Sequence, residues 1–517
     1  MIQLRALCTF STYALAALAL AQAPWTKLYW SAEYLAVTIP VQVAEANNGD
    51  LVLFSRVSDF PEERLRFIRL DADGALLSAV DVIPPSIVFP YSLVELADGR
   101  WMVGGTGIGI SNEGFTMVLD PMGDLLSVRE LPPGAFGNVM ALLPLADTTA
   151  LASFWMYPAA EMQACFAVVH PDNLQLTANT LMLPGRNTDI RASSRCADGG
   201  AYTAGWTWAG DPGTDMHLTR TDSTGAVQWM RRIMPGGHSI SVAGIAEMPD
   251  GGALLGGDHA PVPGEGHPFI MRTDATGTPL WAHYLVDTLP PSFMWDIQSA
   301  VLLNPDTFLL TGVSGIWTGI RVAVDANGSV LFADISTDLG YTEVLSAANG
   351  DVLTGVIAPS PFGSGSAQGV LRTGADLATG NCDPVPVGLV PMPITSTVDT
   401  AYTTTVLNYS WQDVTSLYTQ VTPVLTTSDA CLPTQAATIS STSGVRVWPV
   451  PARHHCIVEA PGLRQVQIHD RLGRGLHTVS LANAQRYEVQ LDGLPTGIYH
   501  LRILSDAGWS GHAMVKE

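Results

Sequence analysis

Residues Met248 to Leu285 read MPDGGALLGGDHAPVPGEGHPFIMRTDATGTPLWAHYL. A Pro-Asp-Gly-Gly turn leads into an apolar strand, and a loop from Asp258 to His267 leads into a second one. That strand closes on Asp274-Ala275-Thr276-Gly277, and a third carries Trp281. Asn, Asp and Gly accept the positive φ that tight reversals need, so the pattern predicts a β-meander. A further run, Ser241 to Glu247, precedes the first turn and makes four strands per unit.

Outward from this stretch the unit repeats. Its closing turn recurs as Asp71-Ala72-Asp73-Gly74, Asp120-Pro121-Met122-Gly123, His170-Pro171-Asp172-Asn173, Asp222-Ser223-Thr224-Gly225, Asp325-Ala326-Asn327-Gly328 and a degenerate Thr373-Gly374-Ala375-Asp376. The last positions of successive turns (74, 123, 173, 225, 277, 328, 376) lie 48 to 52 residues apart. A second marker keeps the same phase: Asn48-Gly49, Asp98-Gly99, Asp147-Thr148, Asp198-Gly199, Asp250-Gly251, Pro305-Asp306 and Asn349-Gly350. A four-stranded unit of this size cannot bury both faces alone, so the units must stack. The expected fold is all-β: a seven-bladed β-propeller over residues 22–382, with Trp25 and its neighbours (25–33) supplying the missing strand of the last blade.

The Asp-x-x-Gly-x-x-x-Trp pattern of Asp222 to Trp229 and Asp274 to Trp281 resembles the tryptophan-docking repeat of PQQ-type propellers. Gly104-Gly105 and Gly256-Gly257 resemble kelch blades. Packing accounts for both, with Trp filling gaps between blades and Gly permitting close approach. Quinoprotein chemistry does not follow, because the chain lacks that family's adjacent cysteines.

Composition fits an exported protein. Of 517 residues only 14% are charged, and the net charge of −22 opposes binding to nucleic acid. An N-terminal segment with Arg5, a short apolar run and Ala19-Leu20-Ala21 reads as a signal peptide (1–21) cut between Ala21 and Gln22. No later stretch is apolar enough for a transmembrane helix. Loss of Cys8 with that peptide leaves Cys165, Cys196, Cys382, Cys431 and Cys456, an odd number, so at least one thiol is free or intermolecular.

Residues 383–444 are rich in Thr, Ser, Val and Pro and read as a β appendage and linker. Cys382 and Cys431 bracket the appendage, and a disulfide between them would contribute ~4 kcal/mol through loop entropy. Residues 445–517 contain Trp448-Pro449-Val450-Pro451-Ala452, a strand leading to Gly473-Arg474, Leu494-Pro495-Thr496-Gly497-Ile498-Tyr499 and a closing Met514-Val515-Lys516. This region resembles the type A C-terminal sorting domain of the Bacteroidetes type IX secretion system, with Val450 where the family usually has Asn. The resemblance implies a small Ig-like β-sandwich, the type IX machinery as partner, and a destination outside the cell or on its surface, reached through the periplasm. Asp147-Thr148-Thr149, Asp287-Thr288-Leu289 and Asp399-Thr400-Ala401 resemble the short O-glycosylation sites of that phylum.

No catalytic, cofactor or metal motif is present: there is no Gly-x-Ser-x-Gly, His-Glu-x-x-His, Gly-x-x-x-x-Gly-Lys or Cys-x-x-Cys. Binding is expected instead in the loops longer than turns require, Trp208 to Met216, Asp258 to His267 and Pro359 to Gln368. The candidate ligand-contacting residues are Trp206, Trp208, Asp258, His259, His267 and Phe362. The function expected is binding or adhesion to a glycan or protein. The alternative is an extracellular propeller hydrolase or lyase acting on polysaccharide, with carboxylates converging on the channel mouth.

Overall fold

The computed structural model describes residues 25–30, 37–59, 62–108, 113–132, 135, 137–157, 161–209, 214–235, 239–260, 266–287, 296–314, 318–337, 339–359, 366–374, 377, 385–429, 446–448, 452–470, 475–495, 497–506 and 508–516. The chain divides into two units, Met1–Leu432 and Pro433–Glu517.

The repeat marker folds as a turn held by its own aspartate. In Asp274-Ala275-Thr276-Gly277 the Asp274 carboxylate accepts the backbone N–H groups of Thr276 (2.8 Å) and Thr278 (2.9 Å), and Gly277 takes φ +79°. Asp71, Asp120, Asp222 and Asp325 make the same pair of bonds. The upstream marker is tied to the third strand by arginine: Arg69–Asp50 (2.7 Å), Arg220–Asp198 (2.7 Å), Arg272–Asp250 (2.5 Å) and Arg372–Asp351 (2.7 Å).

Between these turns the chain runs as antiparallel meanders. Ser239–Glu247, Ala253–Ala260, His267–Thr273 and Pro279–Asp287 pair in sequence order. Among the described residues the first unit holds seven such sheets, numbered here along the chain. Their first strands are Val37–Glu45, Ile87–Glu95, Gly137–Pro144, Asn187–Thr188 with Ala192–Arg195, Ser239–Glu247, Asp296–Asn304 and Gly340–Ser346. Each packs beside the next, and the last packs beside the first, giving a closed, propeller-like arrangement. The apolar core lies between the sheets. One cluster joins Tyr202, Leu218 and Ile233 of sheet 4 to Val242, Leu255 and Phe269 of sheet 5.

The tryptophans of the repeat occupy these joints. A Cβ added at Gly277 would come within 2.5 Å of the Trp229 ring, and one at Gly328 within 2.9 Å of Trp281, so only glycine admits the neighbouring indole. Trp25 meets Gly74 in the same way at 2.7 Å. It belongs to Trp25–Trp30, which pairs with Ser366–Thr373 and stands in sheet 7 where fourth strands stand elsewhere.

The Thr/Ser-rich segment is where the structure departs most from the sequence expectation of four strands per unit. Its strands Val385–Pro386, Leu389–Pro393, Ser396–Asp399, Thr403–Ser410, Gln412–Asp413, Thr419–Val421 and Thr426–Asp429 add in turn to sheets 6, 5, 4, 3, 2, 1 and 7. They form a belt that runs against the chain order of the ring and gives each sheet an extra outer strand. An outer strand has a bare row of N–H and C=O groups that invites unwanted pairing, and the belt occupies part of each such edge. Its strands are mostly exposed, which explains their Thr and Ser content. Trp411 and Tyr418 turn inward and are buried.

In the second unit the strands Arg446–Trp448, His455–Asp470, Gly475–Gln490, Gly497–Ser505 and Gly508–Lys516 form one connected sheet. The 16-residue strand His455–Asp470 is interrupted by bulges between Glu459 and Gln465, next to Gly462 at φ +63°. Such a break lets one strand serve two layers. Val466, Ile468, Tyr499, Leu501 and Ile503 share its core with Cys456 and Val458.

Candidate functional site: a bulged ring around a central channel

All seven first strands are interrupted at one level. Bulges fall between Ile39 and Gln42, Pro90 and Ser92, Val139 and Ala141, Val242 and Gly244, Ile297 and Ser299, and Tyr341 and Val344. In sheet 4, Thr188 pairs with Thr207 and Ala192 with Ala204, so three residues face two and Asp189 to Arg191 bulge likewise. A bulge leaves its extra residue outside the ladder and re-aims the side chain. Glycine in the second strand makes room for it: a Cβ at Gly205 would lie 2.0 Å from the Asp189 carbonyl oxygen, and one at Gly257 1.9 Å from that of Ser241.

The displaced residues line a cavity of about 610 Å³ on the axis of the ring. Each sheet contributes one at or beside its bulge: Gln42, Tyr91, Met140, Arg191, Ala243, Gln298 and Glu343. Arg56, Phe89 and Asp296 also reach it. The volume lies in the range that holds small ligands.

The cations in the wall are paired. Arg191 pairs with Asp189 at 2.8 Å, and its guanidinium lies 4.3 Å above the Trp206 ring. Asp189 also receives Trp206 Nε1–H and the Ile190 N–H (2.7 Å). His217 Nε2 bonds the Asp189 carbonyl at 2.5 Å, which sets the tautomer with the proton on Nε2. Burial pushes Asp189 above the usual carboxylate range against the pull of Arg191, and pushes His217 down to about 4. Arg56 forms a two-point pair with Glu63 (2.7 and 2.9 Å) and covers the Phe89 ring at 4.2 Å.

The acids behave alike. Asp258 accepts Ile297 N–H through both oxygens (3.0 and 3.1 Å), binding sheet 5 to sheet 6. Burial, with a contribution from Asp296, holds it well above its ordinary value. Asp296 is raised by burial, opposed by Gln298 and Arg191. Glu343 accepts Val43 N–H (3.2 Å) across the joint between sheets 7 and 1, and burial raises it to about 7.

Of the residues named from sequence, Trp206 and Asp258 support the channel wall. Trp206 is a buttress for Arg191, with one face and its N–H in use. Trp208 stands edge-on to it, ring centres 6.3 Å apart, and is half-buried. His259 and His267 are cross-strand partners whose rings flank Tyr284 at 5.4 and 5.6 Å, and His259 Nδ1 bonds the Ser239 carbonyl. Phe362, Cys382, Cys431, Ala21, Gln22, Pro449, Pro451, Gly473 and Arg474 lie outside the described residues. The turns join strands one to two in every sheet, and three to four in sheets 1 to 6, at one end. The ends flanking the three long loops therefore share the opposite end, with Asp258 and Asp189.

Sequence reasoning missed Tyr91, Asp189, Arg191, Asp296, Gln298 and Glu343. The available signal was a polar residue early in a first strand with glycine beside it in the second: a Cβ at Gly205 would meet the Asp189 carbonyl, and one at Gly312 that of Asp296. Cys165, Cys196 and Cys456 are free, buried thiols, and burial raises Cys196 to about 12 and Cys456 to about 11. Among the described residues no three His, Cys, Asp or Glu side chains gather as a metal site, and no helix is long and apolar enough to cross a membrane.

In the second unit the sorting-motif residues are strand-borne. Gly497 pairs with Lys516, Tyr499 Oη donates to the Pro495 carbonyl (2.7 Å), and Arg486 lies 5.9 Å from the half-buried Trp448 ring.

None of the curated proteins matches the chain in sequence. Among solved structures, a protein of unknown function from Dyadobacter fermentans DSM 18053 aligns with 67% of this chain and 98% of its own, at 9% identity and a TM-score of 0.36. Drosophila Semaphorin 2a aligns with 96% of this chain and 98% of its own, at 8% identity and a TM-score of 0.36. Residues 446–517 match the secretion system C-terminal sorting domain. That domain marks the chain for export by the type IX secretion system, to the cell surface or the surrounding medium.

Proposed function

We propose that the exported chain is a seven-bladed β-propeller that binds a glycan or protein ligand in its central channel. Residues 1–21 serve as a signal peptide, and 445–517 as the address for the second export step. One observation carries the reading: every sheet bulges at the same level and sends a residue into one cavity. Packing alone has no need of seven coincident bulges, whereas bulges commonly re-aim side chains at functional sites. Trp208 and the loop around Phe362 would then meet the outer part of a ligand, with His259 and His267 supporting the rim.

The test is to probe glycan and peptide arrays with the full chain and with Ala243→Trp, which places an indole in the channel. Binding should be lost in the variant while its thermal unfolding stays within a few degrees of the parent. Equal binding by both would remove the channel from consideration.

A second reading, a polysaccharide hydrolase or lyase, is favoured by the electrostatic proximity of Asp258 and Asp296. Release of reducing ends that disappears with Asp296→Asn would establish it.

The Cys382–Cys431 bond also belongs to the proposal. The belt begins on sheet 6 and ends on the adjoining sheet 7, so a disulfide at its two ends would make it a hoop.

A further inference from the structure

Resting on the channel as the binding site, we infer that its ligand is the uncharged, hydroxyl-rich end of a neutral glycan, held at the level of the bulges by Gln42, Tyr91, Gln298 and Ser92. Three observations lead there. First, among the described residues the wall offers no free cation to an acidic ligand, and its acid Asp296, bonded only by Gln298, would repel one. Arg191 is paired with Asp189 and faced by Trp206, and Arg56 is doubly paired with Glu63 and covers Phe89. Asp258 and Glu343 accept backbone N–H groups from neighbouring sheets. A sulfated, phosphorylated or uronic-acid ligand would have to break one of these pairs, and a buried charge left alone is costly.

Second, the channel is poor in stacking surfaces. Among the described residues, Phe89 and Tyr91 are the only aromatic ones lining it, and one face of Phe89 lies under Arg56. A nucleobase or flat heterocycle would find little to stack on.

Third, what remains are groups that suit hydroxyls, which donate and accept together. Gln42 Oε1 is buried and accepts no hydrogen bond, a costly state that a ligand O–H would relieve. Ser92 Oγ accepts Leu142 N–H (2.9 Å) and keeps its own proton to give. Tyr91, beside Ser92 on sheet 2, and the Gln298 amide, on sheet 6, add donors and acceptors. A site built to bond hydroxyls discriminates strongly against ligands that lack them, because its polar groups would be left unpaired.

The experiment applies the full chain to an array of neutral oligosaccharides, a matched array bearing uronic or sialic acids, and a peptide array, each at low and high salt. Variants are Gln298→Ala, Tyr91→Phe and Ala243→Trp, with Leu280→Ser on the outer edge as control. The expected result is binding to neutral oligosaccharides that changes less than about twofold with salt. Gln298→Ala should weaken it roughly tenfold and Tyr91→Phe several-fold, Ala243→Trp should abolish it, and Leu280→Ser should leave it unchanged. Absence of any neutral hit overturns the inference. Salt-sensitive binding of acidic glycans or peptides that Ala243→Trp abolishes also overturns it, yet leaves the channel as the binding site. Neutral binding indifferent to all three channel variants overturns both.

Discussion

Glu343 and His217 are both desolvated, and their protons respond to burial in opposite senses. Burial raises Glu343 from 4.5 to about 7, so its contribution to stability is fully present below pH 4.5 and is lost as pH rises through 7. Burial lowers His217 from 6.5 to about 4, so its contribution is present above pH 6.5 and is lost as pH falls through 4. Between these limits the two slopes oppose each other. Glu343→Gln keeps an acceptor for Val43 N–H and removes the charge. It should be more stable than the parent at pH 8 by ~1–3 kcal/mol, allowing ~1.4 kcal/mol per pKa unit and some solvent relief, and equal to it near pH 4. Urea unfolding at the two pH values checks this; a constant difference would mean that Glu343 does not titrate in that window. Neither residue stood out in the sequence, since a lone Glu or His in a strand carries no sign of whether it will be buried.

The elements that were legible were those with a repeated local cause. Asp274 and its relatives recur because each closes its own turn with two short-range hydrogen bonds, and such bonds leave a fixed spacing in the chain. The belt left no such trace. Its strands are two to eight residues long and mostly exposed, and their partners lie up to hundreds of residues away, so neither alternation nor spacing points to them. Only its buried aromatics differ from an ordinary linker. Trp411 enters the core between sheets 2 and 3 beside Leu131, Leu176 and Val139, while its backbone N–H donates to the Leu174 carbonyl (2.7 Å). Trp411→Ala should therefore cost ~3–5 kcal/mol, as for a buried large aromatic. Val406→Ala, at a belt position 59% exposed, should stay within about 0.5 kcal/mol of the parent. Equal effects in chemical denaturation would show that the belt is not fixed to the ring. If the belt is a hoop, a non-reducing peptide map of the exported chain should also yield a Cys382–Cys431 cross-link. Native alkylation should spare Cys165, Cys196 and Cys456, whose buried thiols are not ionised at neutral pH. A map that pairs any of those three would contradict the arrangement.

At the scale of the first unit, one sheet decides whether the ring holds. Sheet 7 combines three strands of the last repeat, Trp25–Trp30, and the end of the belt. The N-terminal strand is therefore bonded on one edge to Ser366–Thr373 and on the other to Thr426–Asp429, where Lys27 meets Asp429 at 2.6 Å. It also seals the joint with sheet 1, since Trp25 covers Gly74 and Tyr29 Oη donates to the Gly74 carbonyl (2.5 Å). Removing it takes away the buried Leu28, Tyr29 and Trp30, opens the ring between sheets 7 and 1, and leaves the belt end without a partner. Each of these losses falls on a different interface, so they should act together on one cooperative unit. A chain beginning at residue 37 should melt at least roughly 10 °C below one beginning at residue 22, a shift of several kcal/mol for a unit of this size. It should also elute as larger species, because the bare edges of Ser366–Thr373 and Thr426–Asp429 can pair between molecules. Differential scanning calorimetry with size-exclusion chromatography reads both. A shortened chain that melted with its parent and stayed monomeric would mean that the ring closes through its inner strands alone, with Trp25–Trp30 as a passive cover.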